Sequence, residues 1–242
     1  MTESLFISDL HLDPARPRAT AAFLRFLAKE ARRADRLFIL GDLFEFWIGD
    51  DSDEPLAEEV LGALGEYTAT GRECLVMRGN RDFLLGARFA RRTGTRLLAD
   101  PVVENVFGTR VLVTHGDLLC TGDRAYQRYR RIVHNPLLQR LFLALPRSGR
   151  RAAGAEGRRR SRRHTTASPA SIMDVDQASV LAALQEFKVS VILHGHTHRP
   201  AVHRIETDGA TATRIVLGDW YEAGSVLSWS AAGYELRTLT FD

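Results

Sequence analysis

Short apolar runs alternate with amphipathic segments through the first half of the chain, and this alternation constrains the fold more than any other feature. Residues 5–7, 37–40 and 74–77 are typical of buried strands. The segments between them, at about 18–33 and 54–67, carry apolar residues at helical spacing. Strands joined through helices in this order predict a parallel sheet with helical crossovers.

The second half of the chain changes character, with a predicted hairpin, further helices and a β-rich tail. We expect two β layers enclosed by helices, with residues 118–170 inserted as a helical cap between core segments 1–117 and 171–242. A stretch rich in Gly, Ala, Ser and Arg at 147–171 predicts a loop. The remaining expected elements are a hairpin over 102–113, helices at about 122–133, 136–145 and 174–187, a strand at 189–193, and short β runs over 202–239.

Composition excludes several classes of protein. The chain has 242 residues, of which 45% are hydrophobic and 26% charged, so it is neither disordered, nor collagen-like, nor a disulfide-stapled miniprotein. Its two cysteines, Cys74 and Cys120, favour a reducing compartment. The first nine residues lack a basic region, so no signal peptide is expected. No apolar run reaches the roughly 18–20 residues that a membrane span needs.

The formal net charge of +3 conceals an uneven distribution. Residues 147–163 contain eight arginines and one glutamate, so the rest of the chain is mildly acidic. A basic segment beside an apolar cap suits an anionic membrane surface, and a solvated loop is an equal alternative. Nucleic acid is not expected as a partner, because the segment lacks interleaved aromatic residues and a recognisable module.

Polar motifs follow the predicted strands at the points where those strands end. The carboxyl ends of strands are where α/β sheets bind ligands, and glycines beside them permit sharp turns. We therefore expect these motifs to converge, although each one alone is typical of a helix cap or a turn. The motifs are Asp9-Leu10-His11, Gly41-Asp42, Gly79-Asn80-Arg81-Asp82, His115-Gly116-Asp117 and His194-Gly195-His196-Thr197-His198.

The converging groups are two carboxylates, one amide oxygen and several imidazoles. Oxygen and imidazole ligands suit manganese, iron or zinc rather than a structural cysteine-based zinc site. Seven ligands exceed what one tetrahedral ion takes, but they suit two ions that share a carboxylate. The residues alone therefore predict two-metal hydrolysis of a phosphoester or a phosphoanhydride.

The order of these motifs resembles the calcineurin-like metallophosphoesterases. Longer matches beginning at Gly41, Gly79, His115 and His194 are similar to the UDP-2,3-diacylglucosamine hydrolase family, over about residues 5–219. The resemblance implies a four-layer αββα sandwich with a dinuclear metal site. It also implies a hydrolase of lipid A biosynthesis that cleaves the pyrophosphate bond by attack on the α-phosphorus. The products would be UMP and 2,3-diacylglucosamine 1-phosphate (lipid X).

The resemblance assigns roles to individual residues. It implies two Mn²⁺ ions per chain, with Asp42 bridging them. Where many members of the superfamily have a histidine, this chain has Arg81, which suits a phosphate leaving group that needs charge neutralisation. The implied catalytic residues are Asp9, His11 and His198 around the first ion, Asn80, His115 and His196 around the second, Asp42 and Arg81.

Further residues are implied as substrate contacts. These contacts are Asn80, Arg81, Asp123, Ser161, Thr165, Ser168 and His196. Asp123 alternatively fits a helix N-terminus. The cap departs from the family pattern at Arg160, Arg162, Thr165 and Ser168, whereas Ser161 matches it. Broad apolar faces over 126–145 fit either ordinary core or an acyl chamber, and the resemblance favours the chamber.

The division of charge between an acidic body and one basic segment favours a cytoplasmic enzyme that associates peripherally with the cytoplasmic face of the inner membrane. We infer no obligate protein partner. Two other functions compete with the implied one. One is a different dinuclear phosphodiesterase that acts on nucleotides or nucleic acid. The other is a binding module that has lost catalysis, which the complete set of seven ligands disfavours.

Overall fold

The computed structural model describes residues 2–167, 174–207 and 209–241. The helices are α1 (Pro17–Ala28), α2 (Pro55–Ala69), α3 (Ala87–Thr93), α4 (Arg124–Val133), α5 (Pro136–Leu143), α6 (Arg147–Ala167) and α7 (Gln177–Phe187). The strands are β1 (Glu3–Ile7), β2 (Arg36–Leu40), β3 (Glu73–Met77), β4 (Arg96–Leu98), β5 (Val102–Val106), β6 (Thr109–Thr114), β7 (Val191–His194), β8 (Ala201–Thr207), β9 (Ala210–Val216), β10 (Ala223–Ser230) and β11 (Gly233–Thr240).

The strands of the described residues form two mixed sheets. The first has the order β11-β10-β1-β2-β3-β4, and the second has the order β5-β6-β7-β9-β8. In the first sheet β1, β2, β3 and β4 run parallel, as the alternation of strands and helices predicts. Strand β10 pairs antiparallel with β1, so the end of the chain extends the sheet that its beginning starts.

Three apolar clusters separate the layers. Between the sheets, Phe6 stacks on Phe38 with ring centroids 4.4 Å apart, and both rings are fully buried. They face Val113 and Leu193 of the second sheet in the same cluster. A second cluster packs α1 and α2 on the outer side of the first sheet, and a third packs α7 on the second sheet. The result is the predicted sandwich of two sheets between helices.

The predicted loop at 147–171 was wrong for its described part, because residues 147–167 form α6. Alanine and arginine are strong helix formers, and contacts between α6 and the core offset the low helix propensity of its glycines. Helix α3 and the short strand β4 were also missed. Both are too short to show a clear period in the sequence.

Arginines at the start of α6 pair with the acidic run that precedes α2. Arg147 Nη1 lies 2.9 Å from Asp53 Oδ2, and Arg151 Nε lies 3.1 Å from Glu54 Oε1. Arg150 pairs with Asp51. The basic segment is therefore not a free cationic surface in this part, because acidic groups of the core balance its charge.

Among the residues described, none of the helices combines the length and the apolar character that crossing a membrane requires.

Candidate metal centre

The loops that follow the strands meet at one edge of the two sheets. The Asp9 amide donates to Gly41 O at 3.1 Å, and the His11 amide donates to Asp42 O at 2.9 Å. These bonds join the ends of β1 and β2. In the second sheet, the Gly195 amide donates to His115 O at 3.0 Å and joins the ends of β6 and β7. The motifs that the sequence predicts to converge therefore do so.

Several of the converging residues adopt a left-handed backbone conformation. Non-glycine residues rarely have positive φ, and such conformations cluster at functional sites because the surrounding structure must hold them in place. Here the strained conformation turns short side chains inward toward one point. The residues are Asp9 (φ 55°), His11 (φ 48°), Asp42 (φ 52°), His196 (φ 66°) and His198 (φ 56°).

One group of ligand atoms consists of Asp9, His11 and His198. The Nε2 atoms of the two histidines lie 3.2 Å apart, and His198 Nε2 lies 3.3 Å from Asp9 Oδ1. Asp9 Oδ2 accepts from the Ser8 hydroxyl at 2.6 Å and from the His196 amide at 2.8 Å. Asp9 Oδ1 is buried and has no hydrogen-bond donor in the described part of the chain.

A second group surrounds the side-chain oxygen of Asn80. His115 Nδ1 lies 2.9 Å from the carbonyl of Leu40, which can only accept, so Nδ1 carries the proton. His115 Nε2 lies 3.0 Å from Asn80 Oδ1, and His196 Nδ1 lies 2.9 Å from the same oxygen. Burial lowers the pKa of His115, but the carboxylates of Asp42 and Asp9 outweigh burial and raise that pKa to about 9, so without a metal ion Nε2 donates to the amide oxygen. A divalent cation would take the place of that proton between the imidazole nitrogen and the amide oxygen.

Asp42 lies between the two groups. Its Oδ2 is 3.8 Å from His11 Nε2 and 3.8 Å from His115 Nε2. Its Oδ1 accepts from the Arg81 amide at 2.8 Å, which fixes the orientation of the carboxylate. One carboxylate oxygen is therefore within reach of the ligands on both sides.

The donor set fits a pair of divalent cations. It combines buried carboxylate and amide oxygens with imidazole nitrogens, and thiolates do not contribute in the described residues. The buried Asp9 Oδ1 has no hydrogen-bond donor in the described part of the chain and would gain a partner from a bound cation. A buried oxygen left unsatisfied costs folding free energy.

The site is strongly polarised. Burial raises the pKa of the Asp9 carboxyl, but the histidines around it, chiefly His198, outweigh burial and hold that pKa well below its usual range. Burial alone would lower the pKa of His198. The carboxylates of Asp9 and Asp219 outweigh the effect of burial and raise the pKa of His198 to about 10. Burial and the neighbouring His115 lower the pKa of His196 to about 3. The cluster thus mixes charged and neutral imidazoles within one site.

Outer carboxylates hold the histidines in place, and sequence reasoning missed them. His11 Nδ1 lies 3.1 Å from Glu45 Oε2, and His198 Nδ1 lies 3.2 Å from Asp219 Oδ2. Such partners fix the tautomer and the ring orientation of metal ligands. Asp219 follows a glycine just after β9, in the same pattern as Asp42, so the sequence held a signal for it. Glu45 had no comparable signal.

Asp82, which the sequence analysis left without a role, positions two loops at once. Its Oδ1 accepts from the Gly79 amide at 2.7 Å, and its Oδ2 accepts from the Leu43 amide at 2.7 Å. Burial and the nearby Asp42 carboxylate raise the pKa of Asp82 to about 7. Its hydrogen bonds therefore connect the loop after β2 to the loop after β3.

Tyr221 was also missed. Its ring lies against both histidines of the first group, with centroids 5.3 Å from His11 and 5.5 Å from His198. The guanidinium of Arg16 lies 4.4 Å over the ring. No motif in the sequence marks this residue, because its role comes only from its place beside the cluster.

Glycines allow the loops to approach this closely. A Cβ on Gly79 would lie 2.1 Å from Asp42 Oδ1, and one on Gly195 would lie 2.2 Å from Asp9 Oδ2. Real Cβ atoms do not come so close to other heavy atoms. Any side chain at either position would therefore displace a carboxylate of the cluster.

A cavity of about 660 Å³ adjoins the cluster on the side of Asn80 and Arg81. Its walls come from α4, α5, α6 and the loops after β2 and β3, and they are mostly apolar. The predicted apolar faces of the cap thus line a cavity rather than only filling a core. Its lining includes Phe46, Phe83, Leu84, Tyr126, Tyr129, Ile132, Val133, Leu138, Phe142, Ala153 and Gly154.

Only Asp123, among the predicted substrate contacts in the cap, has a described side chain. Asp123 Oδ1 accepts from the Tyr126 amide at 2.9 Å, so this carboxylate caps the N-terminus of α4, as the alternative interpretation held. Ser161 and Thr165 belong to α6, but their side chains, and the whole of Ser168, lie outside the described residues. Their contacts with substrate stay predictions.

Comparison with known proteins agrees with this geometry. Residues 4–200 match the model of the calcineurin-like phosphoesterase family. The chain belongs to this family. Within it, the chain is 49% identical over 238 residues to the UDP-2,3-diacylglucosamine hydrolase of Serratia proteamaculans, a match that covers 98% of this chain and 99% of that one. The hydrolase of the same name from Escherichia coli O81 (strain ED1a) has the same identity and coverage.

Solved structures support the fold alone. An archaeal phosphodiesterase superposes with a TM-score of 0.50 at 11% identity, covering 98% of this chain and 100% of its own. A hypothetical protein of Pyrococcus horikoshii OT3 superposes with a TM-score of 0.51 at 11% identity, covering 100% of this chain and 89% of its own. This phosphoesterase is therefore a hydrolase with the expected sandwich, and its family implies a dinuclear metal site.

Replacement of Gly79 by alanine tests the close approach at Asp42. We expect Gly79→Ala to weaken Mn²⁺ binding by at least about tenfold, because the new Cβ displaces a carboxylate of the cluster. Equilibrium dialysis followed by elemental analysis measures the affinity. The control is Gly62→Ala, where a Cβ meets nothing within 4 Å. Equal affinities in the two variants would contradict the prediction.

Replacement of Asp219 by asparagine tests the outer carboxylate. We expect Asp219→Asn to lower Mn²⁺ affinity by about 10- to 100-fold, because His198 loses the charge that orients and polarises it. The exposed neighbour Glu222 offers a control, Glu222→Gln, which should leave affinity within experimental error. Isothermal titration calorimetry at one pH compares them, and unchanged binding in Asp219→Asn would argue against this role.

Proposed function

We propose that this protein hydrolyses the pyrophosphate bond of UDP-2,3-diacylglucosamine by attack on the α-phosphorus, releasing UMP and 2,3-diacylglucosamine 1-phosphate. The observation that carries the proposal is the position of the polar cluster beside an apolar cavity, with Asn80 and Arg81 shared by both. A substrate with a charged diphosphate and two acyl chains needs these two environments side by side. The names of the relatives at 49% identity support the same reaction.

The seven candidate ligands would hold two metal ions, and Mn²⁺ is the proposed metal. Asp9, His11 and His198 would hold one ion, and Asn80, His115 and His196 the other, with Asp42 shared between them. Such an ion pair polarises phosphoryl oxygens and stabilises the attacking and leaving oxygens of an in-line displacement. The hydrogen bond from the Arg81 amide would hold the Asp42 carboxylate in the orientation that this shared role needs.

Arg81 is suited to the leaving phosphate. It lines the cavity beside Asn80, and its Nε is buried without a hydrogen-bond partner in the described part of the chain. A guanidinium stays charged and grips phosphate oxygens with paired donors. Its charge would stabilise the lipid-linked phosphate as the anhydride bond breaks, so no proton donor is needed at that position.

The cavity would hold the acyl chains. Its wall is mainly aromatic and aliphatic, contributed by residues such as Tyr129, Leu138 and Phe142. Burial of methylene groups against such a wall contributes about 0.8 kcal/mol each, so two chains supply much of the binding free energy. The predicted contacts at Asp123, Ser161, Thr165 and Ser168 remain part of this proposal.

The enzyme would work as a peripheral protein at the cytoplasmic face of the inner membrane, and the apolar ridge on the cap supports this. Large apolar side chains of α4, α5 and the following turn are exposed there, with Ile132 57%, Leu137 64% and Leu141 60% accessible. An exposed ridge beside a lipid-binding cavity is suited to contact with a bilayer. Arg147, Arg150 and Arg151 form ion pairs with acidic residues of the core and are less available to anionic lipids. The main support for membrane contact is therefore the apolar ridge and not the basic segment.

Release of UMP tests the reaction. Purified protein with Mn²⁺ should convert UDP-2,3-diacylglucosamine to UMP, whereas protein treated with a chelator should not, until Mn²⁺ is restored. Asp42→Asn should lower kcat at least about 100-fold, because one shared oxygen ligand loses its charge. Faster cleavage of bis-p-nitrophenyl phosphate or single-stranded DNA than of the lipid would favour a different phosphodiesterase. Full activity in Asp42→Asn would contradict the proposed site.

Co-sedimentation with vesicles tests the ridge. We expect Leu137→Ser combined with Leu141→Ser to reduce binding to phosphatidylethanolamine–phosphatidylglycerol vesicles by at least about tenfold, since two exposed apolar side chains are lost. Val202→Ser on β8, at a site 43% exposed, is the matched control. Equal sedimentation of both proteins would reject the ridge as the contact surface.

A further inference from the structure

The loop after β2 is fastened to the core by Asp50. Asp50 Oδ1 accepts from Trp47 Nε1 at 3.1 Å and from the Gly86 amide at 3.0 Å, and its Oδ2 accepts from the Phe89 amide at 2.9 Å. The last two bonds cap the N-terminus of α3. The Trp47 ring stacks on Phe44 and meets Phe89 edge-on. This loop is thus a fixed part of the core, on which other elements can dock.

Arg150, in the first turn of α6, grips that loop. Its Nη1 donates to Ile48 O at 2.6 Å and to Asp51 Oδ1 at 2.8 Å, and its Nη2 donates to Asp51 Oδ2. Its Nε donates to Leu145 O at 3.0 Å, in the turn between α5 and α6. The residue is only 2% exposed, unlike its neighbours Arg147 and Arg151. One guanidinium therefore connects α6, the preceding turn and the core.

Two glycines make the docking close. Gly49 has φ +129°, and a Cβ there would lie 2.6 Å from Arg150 Nη1 and 2.7 Å from Leu143 Cδ2. A Cβ on Gly154 would lie 1.5 Å from Phe46 Cζ, so the phenyl ring rests directly on the backbone of α6. The loop and the helix thus interlock. The Phe46 ring of the loop packs on the helix at Gly154, and the Arg150 guanidinium of the helix packs on the loop at Gly49.

The next turns of α6 form a wall of the cavity. Ala153, Gly154 and Gly157 line it together with Phe46. Arg150 precedes Gly154 by four residues, so both lie on the helix face that meets the loop. The bonds of Arg150 to the loop after β2 fix the position of this wall relative to the core. The position of the wall in turn determines how much space the cavity offers to acyl chains.

We propose that Arg150 is a specificity-determining positioning residue, which fixes the α6 wall against the loop after β2 and thereby limits the chain length that the cavity accepts. It acts through the wall and does not touch the reacting atoms. The proposal rests on the proposed function for its substrate, but the interlock itself is independent of the reaction. Loss of the guanidinium would leave Asp51 and Ile48 O without their partner and free the wall to shift.

The test compares Arg150→Met, Arg150→Lys and Arg151→Met. We expect Arg150→Met to raise KM for UDP-2,3-diacylglucosamine about tenfold, with a smaller change in kcat, because binding rather than chemistry depends on the wall. Its preference among substrates with chains of about 10 to 16 carbons should flatten. Arg150→Lys should lie between this variant and the wild type, since an ammonium replaces only part of the fork. Arg151→Met, a loss of an exposed pair on the same turn, should match the wild type.

A second readout does not require catalysis. Fluorescence titration with cis-parinaric acid measures occupancy of the cavity by an acyl chain, and Arg150→Met should weaken it about tenfold relative to Arg151→Met. If Arg150→Met fails to fold by circular dichroism, Asp51→Asn probes the same contact from the core side and should change both readouts in the same direction. Chain-length preference and parinaric acid affinity identical to those of Arg151→Met would overturn the inference. If wild type binds parinaric acid but releases no UMP, the proposed function fails while this inference is still decided by the titration.

Discussion

Asp9 is the residue on which the site depends, because its backbone and its carboxylate connect both sheets. Its amide donates to Gly41 O, its carbonyl accepts from the Trp220 amide, and its Oδ2 accepts from the His196 amide. The last bond crosses from the sheet that holds β1 to the loop after β7 in the other sheet. Asp9 is fully buried in a left-handed backbone conformation, and its Oδ1 has no hydrogen-bond donor in the described residues. Such a group is stable only if the site supplies a positive partner.

The sequence predicted the layered core and the convergence of its motifs well, since both follow from strong local signals. Apolar runs ended by glycine mark the strands, and the ligands directly follow them. Asp219 was missed although it repeats the pattern of Asp42, because a single Gly-Asp is usually only a turn. Tyr221 and Glu45 had no local signal, since contacts with residues distant in sequence define their roles. The helix over 147–167 likewise depends on contacts with residues about 100 positions earlier in the chain. The spacing of apolar residues within the segment cannot reveal such contacts.

Charge in the cap has a different meaning in the structure than in the sequence. As a linear segment, 147–163 is the most basic part of the chain and suggests attraction to anions. In the fold, Arg147, Arg150 and Arg151 face Asp51, Asp53 and Glu54, and Arg159 pairs with Glu156. Exposed apolar side chains lie along α4 and α5, next to this paired region. Local net charge is therefore a poor guide to a surface when the opposing charges are distant in sequence.

All seven candidate metal ligands lie outside residues 118–170, whereas the walls of the cavity come largely from that stretch. The two parts meet at Asn80 and Arg81, which border both, and at Tyr126 of α4, whose ring centroid lies 5.9 Å from that of His196. One continuous stretch of chain therefore sets most of the shape of the cavity, so exchange of that stretch would reshape the cavity while every candidate ligand stayed in the chain.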